Sequence, residues 1–527
     1  MYTSQTTQAA TDAIEWALTH GMALKTTPYS ATHTAFSFTP TPISKARYQQ
    51  LVDSVGLLGK LVHFVSEDHR FLNQAIAPIT KGDPFFKALL EMHQAIHQAS
   101  NQTSVQVSNQ APQQSIDQGV SSESRGGDAK RLPLLIMRSD FMDDAALGPK
   151  LIEFNGIAAG MGPFGQRVHE LHKYLQLQAA DTFNLWSASP NSKLVDNHAL
   201  EGLAQGIANA TFKIKREFTK NDASTGFKNS PPVFLMVVQA NEDNVYDQHL
   251  LEHVLQAKGI KTVRRTFREL HDKLTTGKDD RLLLEGVGPI DTVYLRAGYQ
   301  YCDYHANDII SRVCCEALMQ TRIFIEKHRV AVNATVSQQL ATSKRVQMLL
   351  SSMAPDALTR FGLTLDEAKT VKGLLGEMRA VTQDSATLIA HSNTDEWVLK
   401  NQGEGGGHCI FGEDILPKLA ELKPSEYQAW SLMRRLHPTA RATAALTVRK
   451  GELHRVDDLI SEIGMFTVHI DGGAAINIID DSEQDTNKQL NAKQAYAGYL
   501  IRSKSARTTE GGVHSGQGVL DSLAFSD

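Results

Sequence analysis

Cysteine is scarce in this chain: its 527 residues include only Cys302, Cys314, Cys315 and Cys409. No two of them form a Cys-x-x-Cys pair, and their spacing shows no disulfide framework, which is typical of a protein from a reducing compartment. The 20 histidines show no metal-ligand spacing, so we expect no histidine-bound metal. We also find no nucleophilic catalytic triad, so we expect chemistry that needs no covalent protein intermediate.

Long hydrophobic runs and an excess of one charge are also missing. No stretch approaches the ~18 apolar residues that a membrane-spanning helix needs. The formal net charge of −5 offers no general attraction to nucleic acid or to an anionic membrane. The first residues lack the basic and apolar segments of a secretory signal. With 41% hydrophobic and 21% charged residues, the composition indicates a globular protein, which we expect in the cytoplasm.

Hydrophobic patterning predicts several α/β regions, because 527 residues exceed what one core normally supports. Apolar runs at 132–137 and 150–155 predict strands. A strand–helix–strand order over roughly 230–330 predicts a compact parallel α/β unit. Residues 100–130 are rich in Gln, Ser, Asn and Gly, and they predict a disordered surface insertion because they offer little apolar surface to bury.

The most informative motif is Trp-Val-Leu-Lys-Asn-Gln-Gly-Glu-Gly-Gly-Gly-His at 397–408. Three successive glycines let the backbone approach a bulky anion and present several N–H groups to it. Lys400 supplies positive charge for phosphate, and Glu404 supplies an oxygen ligand suited to Mg²⁺. A flexible linker is the alternative, but linkers are Ser-rich, and this run lies between two apolar segments. We therefore interpret the motif as a nucleotide-phosphate loop.

Glu153 and Asn155 stand two residues apart on a predicted strand, so their side chains point to one face. A carboxylate and an amide oxygen at the carboxyl end of a strand form a plausible pair of Mg²⁺ ligands. The alternative is an edge strand that ends in an Asn-Gly turn. Glu404 as a third oxygen donor favours the metal.

Cationic side chains recur at other predicted strand ends. Arg502 and Lys504 share one strand face and precede the glycine-rich segment 510–518, which suits a lid over an anionic intermediate. The alternative is a solvated basic edge with a loose C-terminus. Arg296, with Tyr299 three residues later, can bind a substrate carboxylate, although a single arginine is more often part of a surface ion pair.

Together these residues resemble the eukaryotic-type glutathione synthetases, a family of ATP-grasp ligases. The resemblance covers most of the chain from about residue 130 onward. Besides the 397–408 loop, it is carried by Met-Arg-Ser-Asp-Phe-Met at 137–142, Ile-Glu-Phe-Asn at 152–155, Asp-Gln at 247–248, Arg-Ala-Gly-Tyr at 296–299, Ser-Glu-Ile-Gly at 461–464 and Leu-Ile-Arg-Ser-Lys at 500–504.

The resemblance implies an α/β (α+β) ATP-grasp fold with an inserted parallel α/β substrate-binding domain and a Gly-rich lid. Residues 1–228 would form an N-terminal helical part and the ATP-grasp body, 229–334 the inserted domain, and 335–527 the ATP-grasp domain with the lid. It also implies ATP and Mg²⁺ as cofactors and a homodimeric assembly.

The resemblance further implies roles for individual residues. Mg²⁺ would be held by Glu153, Asn155 and Glu404. The ATP site would contain Lys344, Lys400, Gly405, Gly406, Gly407, Met433, Arg435, Glu462, Lys504 and Glu510. The dipeptide γ-glutamylcysteine would contact Arg138, Glu242, Asn244, Gln248, Arg296 and Tyr299, and the glycine would face Arg502, Val513 and His514. Arg138, Lys400 and Arg502 would take part in catalysis.

The implied reaction is ATP-dependent ligation of glycine to the carboxylate of γ-glutamylcysteine through an acyl phosphate. The chain departs from the family pattern at several places. On the adenine side, Arg434 replaces a usual acidic residue and Phe411 replaces a tyrosine, and two further departures concern the substrates. Ala158, Ala159 and Gly160 replace small serines, and the lid carries His514 and Ser515 where the family has alanines. A sister ligase with a different acceptor or dipeptide is therefore the alternative. A catalytically silent ATP-binding homologue is a further one, although the retained metal set argues against it.

Overall fold

The computed structural model describes residues 2–97, 130–221, 230–309, 315–403, 409–476, 495–509, 511–513 and 516–526. The insertion predicted at 100–130 lies outside this part except for Lys130. The α-helices are Ser4–Thr19, Lys45–Glu67, His69–Ile76, Pro84–His97, Gly162–Gln178, Ala180–Trp186, Ala199–Asn221, Val245–Ala257, Phe267–Leu270, Glu316–Glu326, Val336–Ala341, Lys344–Ser352, Pro355–Leu358, Leu365–Leu374, Ser385–His391 and Ile415–Glu421.

A large mixed sheet, with 13 strands in the described residues, forms the centre of the molecule. Its main path runs in the order Glu452–Val456, Ala445–Arg449, Phe36–Ser37, Val519–Asp521, Tyr496–Ser505, Leu459–Ile470, Leu132–Asp144, Ala331–Asn333, Thr292–Leu295, Val233–Val237 and Lys261–Arg265. Gly148–Asn155 pairs with Leu132–Asp144, and Gly473–Ala474 pairs with Leu459–Ile470. The predicted α/β class is therefore confirmed.

Smaller sheets surround the large one. Four antiparallel strands form one of them, in the order Met378–Ala380, Ser431–Arg434, Trp397–Lys400 and Cys409–Phe411. The others join Ala23–Thr27 to Ser30–His33, join Gly288–Pro289, Leu282–Leu284 and Leu274–Thr276 in that order, and join Leu523–Phe525 to Thr41–Ile43. None of the helices in the described ranges combines enough length with enough apolar character to span a bilayer.

The parallel α/β unit predicted over roughly 230–330 is present. Thr292–Leu295 pairs in parallel with Val233–Val237 and with Ala331–Asn333, and Val233–Val237 pairs in parallel with Lys261–Arg265. The unit continues into the large sheet, because Ala331 pairs with Leu132. The domain division at 229–334 stays a prediction.

The large sheet is buried on both faces, which explains why its central strand reads as a continuous apolar run. Leu134 and Ile136 pack into one core, and Leu135 and Met137 pack into the other. The first core also receives the helix Gly162–Gln178, and the second receives Lys45–Glu67 and Val336–Ala341. Because successive side chains of a strand alternate between faces, this burial holds the central strands rigidly and leaves their polar ends to form a site.

Candidate active site

The register of neighbouring strands brings charged side chains together where the large sheet faces the four-stranded sheet. Arg138 lies opposite Asn155, and Asp140 lies opposite Glu153. On the other side of the central strand, Gly464 lies opposite Asp140. Residues on the next pair of strands follow the same pattern, since Glu462 pairs with Arg502 and Ile460 with Lys504. Residues far apart in sequence therefore converge on one patch.

A buried carboxylate, Asp140, organises this patch. It accepts two hydrogen bonds from Arg138, at 2.7 and 2.9 Å. Its Oδ2 also accepts one from Arg502 and one from the Asn155 amide, both at 2.9 Å. The side chain of Asp140 is fully buried. Within the described structure, its carboxylate therefore depends on these donors for its hydrogen bonds. The amide nitrogen of Asn155 is thereby turned toward Asp140, which leaves its oxygen for another partner.

The close packing of Arg138 and Asp140 requires a glycine on the adjacent strand. A Cβ added at Gly464 would lie 2.8 Å from Cδ of Arg138 and 2.9 Å from Oδ1 of Asp140. Both distances are shorter than side chains tolerate. Gly464 therefore has a packing role in the site, next to Glu462, which forms an ion pair with Arg502.

The carboxylate Glu153 lies among four cationic groups. Burial acts to raise its pKa, but the charges of Lys344, Lys400, Arg502 and Arg138 oppose burial and lower the pKa of Glu153 to about 2. The nearest lysine is Lys344, whose Nζ lies 3.9 Å from Oε2 of Glu153. Glu153 is consequently ionised at neutral pH, as a ligand of a divalent cation must be.

The two lysines come from different elements and are both buried. Lys344 begins the helix Lys344–Ser352 and donates a hydrogen bond to the carbonyl of Gly403 at 2.7 Å. Lys400 ends the strand Trp397–Lys400 and donates to the carbonyl of Ile152 at 3.2 Å. The structure thus places both ammonium groups beside the strand that carries Glu153.

Arg296 follows the strand Thr292–Leu295 of the parallel α/β unit. Its Nη1 is 3.7 Å from Oδ2 of the buried Asp247, and burial raises the pKa of that carboxyl despite the arginine. Nε of Arg296 is buried and has no hydrogen-bond partner among the described residues. A Cβ at Gly160 would lie only 2.3 Å from Nη1 of Arg296. The guanidinium therefore occupies the space that a larger residue at position 160 would need.

Other predicted substrate residues form a polar wall beside Arg296. Glu242 accepts a hydrogen bond from the Asn244 backbone at 3.0 Å and from the Gln248 amide at 2.7 Å. Tyr299 accepts one from Gln239 at 3.0 Å, and burial raises the pKa of its phenol. Gln248 is buried behind Glu242 and orients it.

An apolar slot lies on the other side of the lysines. Met433 packs with Met348 and Met378 in a small core next to Ile152. Of these three methionines, Met433 faces the site cavity, and its flexible thioether suits contact with a flat aromatic ring. At the rim, Arg435 lies 5.8 Å from the centre of the Phe411 ring.

Most of these groups line one cavity of about 560 Å³, a volume typical of sites for small molecules. Asp140, Asp247, Gly464, Met348 and Met378 are not among its lining residues. Eight basic and four acidic side chains face it, so it attracts anions. The predicted site residues that line it are Arg138, Glu153, Asn155, Glu242, Asn244, Arg296, Tyr299, Lys344, Lys400, Met433, Arg435, Glu462, Arg502, Lys504 and Val513. Gln248 does not line it. Glu404, Gly405, Gly406, Gly407, Glu510, His514 and Ser515 lie outside the described residues.

Sequence reasoning missed Asp140, Asp247 and Gly464. A signal existed for Asp140, since it stands two residues from Arg138 and shares its strand face. Asp247 and Gly464 also lie within motifs of the family resemblance, at 247–248 and 461–464, but the motifs did not reveal their roles, which come from contacts with distant segments.

The expectation that the histidines show no metal-ligand spacing is wrong. His93 and His97 are four residues apart on the helix Pro84–His97 and therefore share one face. Their ring nitrogens lie within 4.8 Å of each other and of a ring nitrogen of His69. The four-residue spacing of His93 and His97 is visible in the sequence. His69 stands 24 residues before His93, and only the fold brings it close to them.

Comparisons with known proteins agree with the geometry. A family profile described as "Eukaryotic glutathione synthase, ATP binding domain" matches residues 3–525. Glutathione synthetase of Homo sapiens is 27% identical over 536 residues, which cover 98% of this chain and 96% of that protein. The Xenopus laevis enzyme is 27% identical over 524 residues, covering 97% and 94%. The chloroplastic glutathione synthetase of Solanum lycopersicum is 27% identical over 496 residues, covering 93% and 77%.

A solved structure also resembles the fold. The apo form of a glutathione synthetase-like effector from Globodera pallida superposes with a TM-score of 0.66 at 17% identity, covering 98% of this chain and 96% of that one. This likeness concerns the fold alone, and it confirms the architecture that the resemblance implied.

Proposed function

This chain belongs to the eukaryotic glutathione synthase family, and we propose that it joins glycine to the cysteine carboxylate of γ-glutamylcysteine, giving glutathione, ADP and phosphate. Membership of the family makes it an ATP-dependent carboxylate–amine ligase. The observation that carries the proposal is the single cavity in which Glu153, Asn155, Lys344 and Lys400 lie beside the arginines Arg138, Arg296 and Arg502.

The donor atoms fit Mg²⁺. Glu153 is ionised, and Asn155 keeps its amide oxygen available because its nitrogen donates to Asp140. Hard oxygen donors of this kind are the usual protein ligands of Mg²⁺. We infer that Glu404 supplies a third oxygen from the glycine loop. When bound, Mg²⁺ neutralises charge on the phosphate oxygens.

We propose that the two lysines bind the phosphates of ATP and that Met433 contacts its adenine ring. Lys344 and Lys400 balance the negative charge of the phosphates, which is the main requirement of phosphoryl transfer. Met433 lies where its apolar side chain can contact the adenine ring. Both lysines are buried, so their attraction for phosphate is weakened little by water.

The dipeptide is proposed to bind on the arginine side of the cavity. Arg296 is buried, and its Nε lacks a hydrogen-bond partner among the described residues, so a bound carboxylate would satisfy it. Arg138 and Arg502 are held beside Glu153 by Asp140. They would keep the reacting carboxylate close to the terminal phosphate, as proximity catalysis requires.

The proposed reaction has two steps. A cysteine carboxylate oxygen attacks the γ-phosphorus of ATP, and the bond to the β–γ bridging oxygen breaks to release ADP. The neutral glycine amine then attacks the acyl carbon, phosphate leaves with both bonding electrons, and the amine nitrogen loses one proton to the departing phosphate or to water. Positioning and charge neutralisation do this work, so no nucleophilic side chain is required. The segment around Val513 would exclude water from the acyl phosphate.

A substrate panel tests this proposal. Purified protein is supplied with ATP, Mg²⁺, γ-glutamylcysteine and one amino acid at a time, and ADP release is followed with product mass. We expect turnover with glycine and a product of glutathione mass. If the cysteine carboxylate is labelled with ¹⁸O, one label should appear in the released phosphate. Phosphate without label would refute the acyl phosphate, and no turnover with any amino acid would refute the ligase.

Glu153→Gln tests the metal role within the same assay. The variant should lose activity and need much more Mg²⁺, because an amide is a weaker ligand than a carboxylate. Glu285→Gln, which alters an exposed ion pair with Lys273, is the matched control and should retain wild-type activity. An unchanged Mg²⁺ requirement in Glu153→Gln would contradict the assignment.

A sister ligase with a different dipeptide is the second candidate. The observation that favours it is the contact of Arg296 with the backbone at Gly160, where the family pattern has a small serine. Gly160→Ser should displace the guanidinium and raise the KM for γ-glutamylcysteine if that dipeptide is the natural donor. An improved KM would instead favour the sister ligase. The homodimer and the cytoplasmic location remain our predictions, and one relative is described as chloroplastic.

A further inference from the structure

Three histidines meet at a place separate from the ligase cavity. His69 is the first residue of the helix His69–Ile76, and His93 and His97 lie in the last turns of Pro84–His97. One ring nitrogen from each lies within 4.8 Å of the other two. None of the three residues lines the active-site cavity. The cluster is therefore a possible ligand set of its own.

Two ring nitrogens of this cluster have no hydrogen-bond partner among the described residues. Nδ1 of His69 and Nε2 of His93 are buried and have no hydrogen-bond partner among the residues that the structure describes. His93 is fully buried. A buried imidazole nitrogen without a partner is unfavourable by the desolvation cost of a polar atom. A bound cation would satisfy both nitrogens at once.

A serine that accepts a hydrogen bond from Arg131 at 3.4 Å also lies within hydrogen-bond distance of two of the rings. Oγ of Ser337 lies 3.2 Å from Nδ1 of His93 and 3.4 Å from Nε2 of His97. In metal sites, the ring nitrogen that does not bind the ion commonly makes such an outer hydrogen bond, which fixes the ring. The contact of Ser337 with Nδ1 of His93 leaves the unpartnered Nε2 for a ligand.

The surrounding charges are compatible with a divalent ion. Arg131 is the nearest cation, and it is paired with Glu326 at 3.3 Å and with Glu67 at 3.6 Å. Burial lowers the pKa of His69, and it lowers the pKa of His93 to about 3. Neutral imidazoles offer a lone pair without first losing a proton.

We propose that His69, His93 and His97 bind a divalent transition-metal ion of the Zn²⁺ type. Three imidazoles without a thiolate suit such an ion, whereas Mg²⁺ and Ca²⁺ prefer oxygen ligands. A fourth position is left for water or for Glu67, which is partly exposed nearby. Tetrahedral coordination needs ligand nitrogens about 3.4 Å apart. The rings of His69 and His97 are stacked with their centroids 3.7 Å apart, so these side chains would rotate out of the stack for both nitrogens to point at one ion.

The ion would join two helices that already share a hydrogen bond from the amide of Gln94 to Oδ1 of Asn73, at 3.0 Å. It links the start of His69–Ile76 to the end of Pro84–His97 and lies close to Ser337 on Val336–Ala341. Binding only to the folded state stabilises that state. The expected role is structural, and the inference does not depend on the proposed reaction.

The test is a Zn²⁺ titration of the full chain, without a histidine tag and stripped of metal beforehand. Excess Mg²⁺ occupies the oxygen ligands of the ligase site and leaves imidazoles free. Binding is measured by competition with a chromophoric chelator, and Co²⁺ is used in parallel because tetrahedral Co²⁺ absorbs strongly in the visible range. We expect one tight site and the Co²⁺ spectrum of a tetrahedral nitrogen site.

Variants separate this site from other histidines. His93→Gln should raise the Kd for Zn²⁺ more than about 100-fold, since even outer partners of a ligand contribute 10–100-fold. If His93→Gln folds poorly, His69→Gln, at a less buried position, takes its place and should raise the Kd for Zn²⁺ by a similar factor. The control is His253→Gln, because His249 and His253 show the same four-residue spacing on the exposed face of Val245–Ala257. Equal affinity in all variants, or no tight site in the wild type, would overturn the proposal.

Discussion

Asp140→Asn perturbs the centre of the active site with almost no change of shape. Oδ2 of Asp140 accepts hydrogen bonds from Arg138, Arg502 and Asn155, and Oδ1 accepts one from Nε of Arg138 at 2.7 Å. In the better of its two orientations, the asparagine amide would keep the three bonds at one oxygen. Its NH₂ group would then face the donor Nε of Arg138, and two buried arginines would lose a counter-charge.

The size of the effect follows from this geometry. A lost hydrogen bond to a charged group costs about 1.5–3 kcal/mol, and removing one partner of a buried ion pair costs roughly 3–5 kcal/mol in total. The unfolding entropy is roughly 2.1 cal/mol/K per residue, or ~1.1 kcal/mol/K for this chain. We therefore expect the Tm to fall by about 3–5 °C. Displacement of Arg138, whose Nε would face the new NH₂ group, should lower kcat/KM at least about 100-fold.

Differential scanning calorimetry and the ADP-release assay measure these two quantities. Asp308→Asn is the matched control, because Asp308 accepts a similar set of hydrogen bonds from Arg268, at 2.6 to 2.9 Å, on the protein surface. An exposed pair contributes little, so this variant should match the wild type in both assays. If Asp140→Asn also matched the wild type, Asp140 would not organise the site.

Two further changes test packing and titration. Gly464→Ala should lower kcat, because its Cβ would approach Arg138 and Asp140 to within 3 Å. The control is Gly373→Ala, which has open space around it and should leave kcat unchanged. Equal kcat values for the two variants would contradict the packing role of Gly464. Asp521 is buried, and burial raises its pKa from 3.8 to about 6 against the opposing effect of Arg441. Its contribution to stability is thus fully present below pH 3.8 and is lost as the pH rises through 6, by about 3 kcal/mol. Denaturant unfolding of Asp521→Asn between pH 4 and 7 should show a flatter profile than the wild type, and parallel profiles would refute the shift.

Much of the fold was readable from local pattern. The strand predicted at 132–137 is present and extends to Asp144, and the strand predicted at 150–155 lies within Gly148–Asn155. These segments succeed because continuous apolar runs suit strands that are buried on both faces. The family resemblance was also carried by short motifs, and the family profile confirms it over residues 3–525.

The site was predictable where a side chain carries its own chemistry, and less so where contacts decide its role. Glu153, Asn155 and Lys400 stand out as carboxylate, amide and lysine next to strand ends. Glu462, by contrast, was expected to bind ATP, yet in this structure it forms an ion pair with Arg502. Its role at the ATP site remains a prediction, since a charged group can exchange its partner when a ligand enters.

Alternation, spacing and residue type are properties of neighbours along the chain, and they sufficed for the strands and the family. Only the folded chain could show Asp140 as the shared acceptor of Arg138 and Arg502, because those arginines stand 364 residues apart and meet through strand pairing. The same holds for His69 with His93 and His97. Hydrogen bonds and electrostatic forces act over a few ångströms, so their partners are chosen by tertiary packing.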